Sequence, residues 1–220
     1  MTQTTKPLFA ALTGALALAA ASFLPTSTVN AAPLQADKDW SNHFTGTNVE
    51  GNMVMGDLII GNPDAEIEIV EYASLTCPHC ANFHTNIWPE IQEKYIKSGE
   101  AKLVFRNFVF NAIDLSASKL VRCTGSNRAP AMLSALFKTQ NVWVRDPQNE
   151  LTKTARLAGL NKAGFDACMS NTALQNALIE MTGEATRAGV TGTPTFFVNG
   201  DKVDEVREAS DLIEAIEDAK

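Results

Sequence analysis

The sequence predicts an α/β fold, a sheet in two halves separated by a long helical insertion, and three observations carry that expectation. Apolar, β-branched runs lie on both sides of the chain's middle, at Ile67–Ala73 and Thr195–Val198. Between them, residues 111–188 have the texture of consecutive helices. The segment Cys77-Pro78-His79-Cys80 stands where the first of these strands gives way to an amphipathic helix.

Taken in order, the chain opens on Lys6 and an apolar run from Leu8 to Leu24, followed by the small residues of Val29-Asn30-Ala31. That pattern predicts a signal peptide over residues 1–31, cleaved after Ala31; an uncleaved membrane anchor is the alternative. Residues 32–52 are polar and irregular and read as an arm. The first half of the sheet protein then covers residues 53–110, with a short strand over 53–60, a central strand over 67–73, a helix from Ala81 to Lys97 and a strand over 101–110. Phe83, Ile87, Ile91 and Tyr95 give that helix its four-residue repeat, and Ser98-Gly99 stops it.

The helical insertion covers residues 111–188. Leu115, Leu120 and Val121 mark one helix, and Met132, Leu133, Leu136 and Phe137 mark another that begins at Pro130. Asp146-Pro147 predicts an N-cap followed by proline at the first helical position, with Gly159 closing the helix. Further helices are expected over 162–169 and 172–187. The second half, residues 189–220, holds the strand 195–198, the hairpin signal Asn199-Gly200, a partner strand over 202–206 and a closing helix from Ser210 with Leu212, Ile213 and Ile216 inward.

With 45% hydrophobic residues in 220, the chain can bury a full core. Its net charge of −7, with no basic run, argues against a nucleic-acid partner or a membrane surface. All four cysteines follow Ala31, an even number in a chain expected to reach an oxidising compartment.

A strand ending in Cys-x-x-Cys that opens a helix is a thioredoxin-type redox site. Unpaired amides at the helix start favour a thiolate on Cys77, whose sulfur is expected to be exposed. Cys80, one turn in, is expected to be more buried and suited to resolving a mixed disulfide. His79, between them, can carry a positive charge and donate to the Cys77 thiolate. Stabilising the reduced form makes the disulfide a stronger oxidant. A zinc site with His84 as third ligand is the alternative, but no second Cys-x-x-Cys or His-x-x-His pair is present to complete it.

The chain resembles the DsbA-like thiol–disulfide oxidoreductases of bacterial envelopes, in the branch typical of alphaproteobacteria. Residues 70–80, Val-Glu-Tyr-Ala-Ser-Leu-Thr-Cys-Pro-His-Cys, and 192–200, Gly-Thr-Pro-Thr-Phe-Phe-Val-Asn-Gly, carry the resemblance, which covers about Met53 to the end. It implies a thioredoxin fold with an inserted α-helical domain. It also implies that Glu71 is the buried acid beneath the disulfide, handling protons near Cys80, although an outward-facing strand glutamate is the other reading. Pro194 matches the cis-proline facing the disulfide, with Thr193 offering its main chain to an extended substrate and its hydroxyl to the sulfurs. Cys123 and Cys168 match a second, non-catalytic disulfide that is structural or tunes the active site; two buried free thiols are the alternative.

The resemblance therefore implies a monomeric, periplasmic donor of the Cys77–Cys80 disulfide to reduced client proteins, needing no bound cofactor and reoxidised by a membrane quinone reductase of DsbB type. Threonine before the proline also resembles isomerases, so an isomerase or reductase is the rival. A peptide-holding module without redox turnover is a third reading.

Overall fold

The computed structural model describes residues 53–220 without a break and, before them, residues 1–2, 38–39, 41, 44–47 and 49–51. The signal peptide expected over residues 1–31, beyond its first two residues, and most of the arm lie outside the described residues. Leu34–Lys220 pack as one unit, and every element named below belongs to it.

The strands are β1 (Phe44–Gly46), β2 (Val49–Glu50), β3 (Met53–Val54), β4 (Leu58–Gly61), β5 (Ile67–Ala73), β6 (Ala101–Asn107), β7 (Thr195–Val198) and β8 (Asp201–Val203). A continuous helical run over residues 78–96 is α1. It is followed by α2 (Ala112–Cys123), α3 (Ala129–Lys138), α4 (Gln140–Trp143), α5 (Pro147–Leu157), α6 (Lys162–Ser170), α7 (Thr172–Arg187) and α8 (Ala209–Asp218). The main sheet has the order β1-β4-β6-β5-β7-β8; only β5 and β6 run parallel, joined through α1, and β2 pairs with β3 apart from it. Helices α2 to α7 all fall between β6 and β7. This is the thioredoxin fold with an inserted helical domain.

β5 is central and is buried along both faces, which explains why it departs from strict alternation. Ile67, Ile69 and Ala73 pack with Cys80, Phe83, Ile87 and Ile91 of α1 and with Leu212 and Ile216 of α8. Val70 and Tyr72 face the other way, against Val104, Phe108, Ala185 and Val190. Asn199 and Gly200 take positive φ angles of 47° and 92°, which a tight two-residue hairpin requires. The Asn199 side chain accepts from the Glu68 N–H at 2.8 Å, tying that hairpin to β5.

Several boundaries differ from expectation for identifiable reasons. The single strand expected over 53–60 is broken at Gly56, whose N–H donates to the Thr47 carbonyl at 3.0 Å and where a Cβ would collide with the Thr47 hydroxyl. Residues of the irregular arm supply β1, an edge strand in register with β4. β6 stops at Asn107 rather than Phe110: Phe108 N–H still donates to Ala73 O at the end of β5, but the next amides leave the ladder, Val109 to the Thr182 hydroxyl and Phe110 to Asp114. Asp146 precedes α5 as expected, but its carboxylate accepts from the Asn149 side chain instead of capping the helix.

α1 is not a uniform α-helix. Residues 83–87 form a wide turn in which Trp88 N–H donates to Phe83 O, and Pro89 just beyond cannot donate to Thr85 O at all. The widened turn buries Phe83, His84 and Ile87 together against the sheet.

Candidate active site

Cys77 is the residue at which strand geometry ends and helix geometry begins. Its backbone is extended (φ −80°, ψ 120°), Pro78 takes a first-turn position where its missing N–H costs nothing, and Ala81 N–H donates to Cys77 O at 3.1 Å. The loop before it is held from the helical insertion. Asp114, fully buried on α2, accepts from Leu75 N–H at 2.9 Å, the Ser74 hydroxyl at 2.6 Å and Phe110 N–H at 3.0 Å. Gln140, on α4, donates from Nε2 to Leu75 O at 2.8 Å and to Cys77 O at 2.9 Å.

The two thiols occupy opposite environments. The half-buried Cys77 thiol is pulled down from 9.0 to about 5, most of all by a hydrogen bond from the Cys80 thiol, with burial opposing. Thr193 and the backbone amides of Cys80 and His79 add to the lowering; those amides are unpaired donors of the helix start. Cys80 is fully buried, and burial pushes its thiol up, reinforced by the hydrogen bond to Cys77 and by the charges of Glu71 and Cys77.

His79 contributes to the sulfur through its backbone N–H, where the sequence pointed to its ring. The ring itself is exposed and lines a groove of about 600 Å³ that also takes in Asn82, Phe83, Thr193, Pro194 and Val206. The Thr193–Pro194 peptide bond is cis. Thr193 O accepts from the Cys77 thiol at 3.3 Å, whereas its hydroxyl is buried without a partner among the described residues. The Thr193 carbonyl thus accepts from the neutral thiol, while its side chain favours the thiolate.

Glu71 is fully buried on the face of β5 that meets α1, not outward. Both its carboxylate oxygens bond His84 Nε2, at 2.9 and 3.1 Å. The nitrogen considered as a zinc ligand is thereby committed to a carboxylate, and the described residues hold no cluster of three or more metal-ligating side chains. Cys123 and Cys168 form a disulfide with Cα atoms 6.0 Å apart, linking the end of α2 to α6.

Asp114 and Gln140 went unnoticed in the sequence. An acid three residues after Asn111 is an ordinary first-turn residue, and a lone glutamine carries no signal; their roles come from contacts 39 and 63–65 residues away.

Sulfurs placed like this at the end of a central strand define a class, the thioredoxin-fold proteins with a dithiol–disulfide centre. The family model that matches the chain is that of thioredoxin, over residues 54–218. The chain belongs to that family, among its DsbA-like members. A Rickettsia bellii protein carrying a provisional name as a protein-disulfide oxidoreductase is 39% identical over 148 residues, 66% of this chain and 57% of the relative. The chain thus spans little more than half the length of the rickettsial relatives it matches. The crystal structure of Wolbachia pipientis α-DsbA1 matches with a TM-score of 0.69 and 28% identity, covering 74% of this chain and 90% of that one. A Novosphingobium aromaticivorans structure named as a protein-disulfide isomerase gives 0.64 and 25%, covering 73% and 95%.

Proposed function

We propose that this chain is a protein thiol–disulfide oxidoreductase that works as a donor, passing the Cys77–Cys80 disulfide to reduced client proteins. The observation that carries the reading is the asymmetry of the two thiols, Cys77 pulled down to about 5 and Cys80 pushed up. A client thiolate attacks Cys77 Sγ, and the electron pair of the broken bond passes to Cys80. A second client thiolate then attacks the client sulfur of the mixed disulfide and expels Cys77 as a thiolate. A leaving thiolate this well stabilised leaves readily, and stabilising the reduced form raises the potential.

The groove beside Pro194 suits an extended client segment because Thr193 presents its main chain beside the reacting sulfur. Export by the predicted leader, work in the periplasm as a monomer, and reoxidation by a membrane quinone reductase of DsbB type complete the proposal. The roles of Glu71 in proton handling and of Cys123–Cys168 as a structural cross-link belong to it as well.

The deciding measurement is the reduction potential of Cys77–Cys80 in glutathione buffers, with Cys123–Cys168 confirmed as paired. A value well above the roughly −270 mV of thioredoxin supports the donor. A thioredoxin-like value overturns it in favour of a reductase or isomerase, a reading supported by the isomerase name of the Novosphingobium neighbour. A Cys77→Ser variant that still protects unfolded chains from aggregation, beside a wild type without turnover, would instead favour a peptide-holding module.

A further inference from the structure

Glu71 is sealed from solvent on the face of β5 whose Ile69 and Ala73 pack with Cys80, and its charge bears on that thiol. The side chain bonded to the Glu71 carboxylate is His84. One ring nitrogen, Nε2, bonds the carboxylate. The ring is clamped by Phe137, stacked at 4.2 Å and 11°, and by edge contacts with Phe83 and Phe105. Among the described residues, nothing bonds the other nitrogen, Nδ1. His84 lines a cavity of about 390 Å³ with Ile60, Trp88 and Leu133 buried around it and Asn127 and Lys138 on the exposed rim. That cavity shares no lining residue with the groove beside Pro194.

We propose that His84 is a positioning residue that carries protons between the water-accessible cavity and Glu71 while the Cys77–Cys80 disulfide turns over. The inference rests on the redox reading above. When an incoming thiolate bonds Cys77 Sγ, the Cys77–Cys80 bond breaks and its electron pair goes to Cys80 Sγ. The proton on His84 Nε2 passes to a Glu71 oxygen and from Glu71 to that sulfur, and solvent in the cavity supplies one to the ring at Nδ1. One proton enters for each buried thiolate made, no electron moves along the relay, and the reverse reaction sends the proton out by the same atoms. Of the other titratable side chains, Cys80 lies four residues before His84 on α1, and Lys138 on α3 lines the same cavity at its rim. The relay leaves the client groove free, so a bound chain does not block the proton path.

The test is the rate at which dithiothreitol reduces the Cys77–Cys80 disulfide of the purified chain at pH 7, in wild type, His84→Ala and His84→Gln. Both variants are expected to slow by about tenfold, below the ~10²-fold of a direct general acid because water partly substitutes. Imidazole in solution is expected to restore the His84→Ala rate, and pyrrole, which has the same shape but no proton-accepting nitrogen, is not. Wild-type rates in both variants, or equal rescue by pyrrole and imidazole, overturn the relay and leave a packing role. If His84→Ala does not fold, His84→Gln carries the test, because it keeps a donor for Glu71 but cannot pass a proton. A wild type that fails to oxidise a reduced client overturns the functional reading alone, since reduction by dithiothreitol is read separately.

Discussion

The molecule holds two cysteine pairs built to opposite specifications. Cys77 and Cys80 straddle the first turn of α1, and a charged outer sulfur is favoured by the Cys80 thiol, two backbone amides and the Thr193 side chain. Cys123 and Cys168 join two helices of the insertion, where Cys123 packs beside Met55, Leu174 and Leu178 and Cys168 is buried. In the first pair those groups favour a thiolate on Cys77, which on the proposed function makes breaking the bond favourable. In the second, the Cys123 sulfur has apolar neighbours and Cys168 Sγ lies 3.4 Å from the Lys119 carbonyl, an acceptor and not a donor. On the proposed function, what separates the reactive pair from the structural one is the supply of hydrogen-bond donors, not burial alone.

The largest effect that sharpens this contrast comes from the reactive pair itself. Cys77→Ser is expected to abolish oxidation of a dithiol peptide, whereas Cys80→Ser, given a peptide dimer joined by a disulfide, is expected to accumulate a Cys77–peptide mixed disulfide as one peptide thiol is expelled, visible as a mass increase. Arg122, next to Cys123, comes next. It is fully buried, its guanidinium pulled down to about 10 by burial, and it donates to Asn107 Oδ1 at 2.8 Å, to Val54 O at 3.0 Å and to Gly56 O. Arg122→Met leaves those acceptors unpaired and is expected to cost at least about 3 kcal/mol in urea unfolding. The Cys77 titration should stay in place.

Replacing both Cys123 and Cys168 by alanine is expected to cost about 2–4 kcal/mol, the upper figure being the chain-entropy value for a loop of 45 residues. A large shift of the Cys77 titration in that variant would break the division of labour between the pairs. The smallest effect is expected from Thr193→Val. Removing a donor disfavours the charged sulfur, so the midpoint of Cys77 alkylation should move upward from about 5 by a fraction of a pH unit.

The same titration predicts a pH dependence of stability. The folded Cys77 value lies below its ordinary 9.0, so its stabilisation of the reduced protein is complete above pH 9 and lost as pH falls through about 5. Thermal melting of the reduced form, measured relative to the oxidised form, should therefore improve from pH 5 towards pH 9. Groups common to both forms largely cancel in the difference.

Local pattern was enough for much of this architecture. The strand at Ile67–Ala73, the helix behind the cysteines, the helical insertion and the hairpin at Asn199-Gly200 all follow from spacing and turn chemistry between near neighbours. What stayed hidden depends on distant partners. The break at Gly56 needs Thr47, the early end of β6 needs Thr182 and Asp114, and the edge strand β1 needs β4 to pair with. In the site, the Cys-Pro-His-Cys motif was plain, but which atom of His79 reaches the sulfur was not, because ring and amide compete for the same task. His84 was noticed for the wrong partner: only the folded sheet brings Glu71 to its nitrogen.

The bonds from Asp114 and Gln140 to the loop before Cys77 carry a lesson for protein engineering. Those anchors come from the insertion, so a trimmed chain in which β6 runs straight to β7 would keep the tetrapeptide and discard the scaffold that shapes its approach. Grafting Cys-Pro-His-Cys onto another strand–helix junction would likewise transplant two sulfurs without their mould. A minimal copy of this site has to include one carboxylate and one amide that no motif would mark for inclusion.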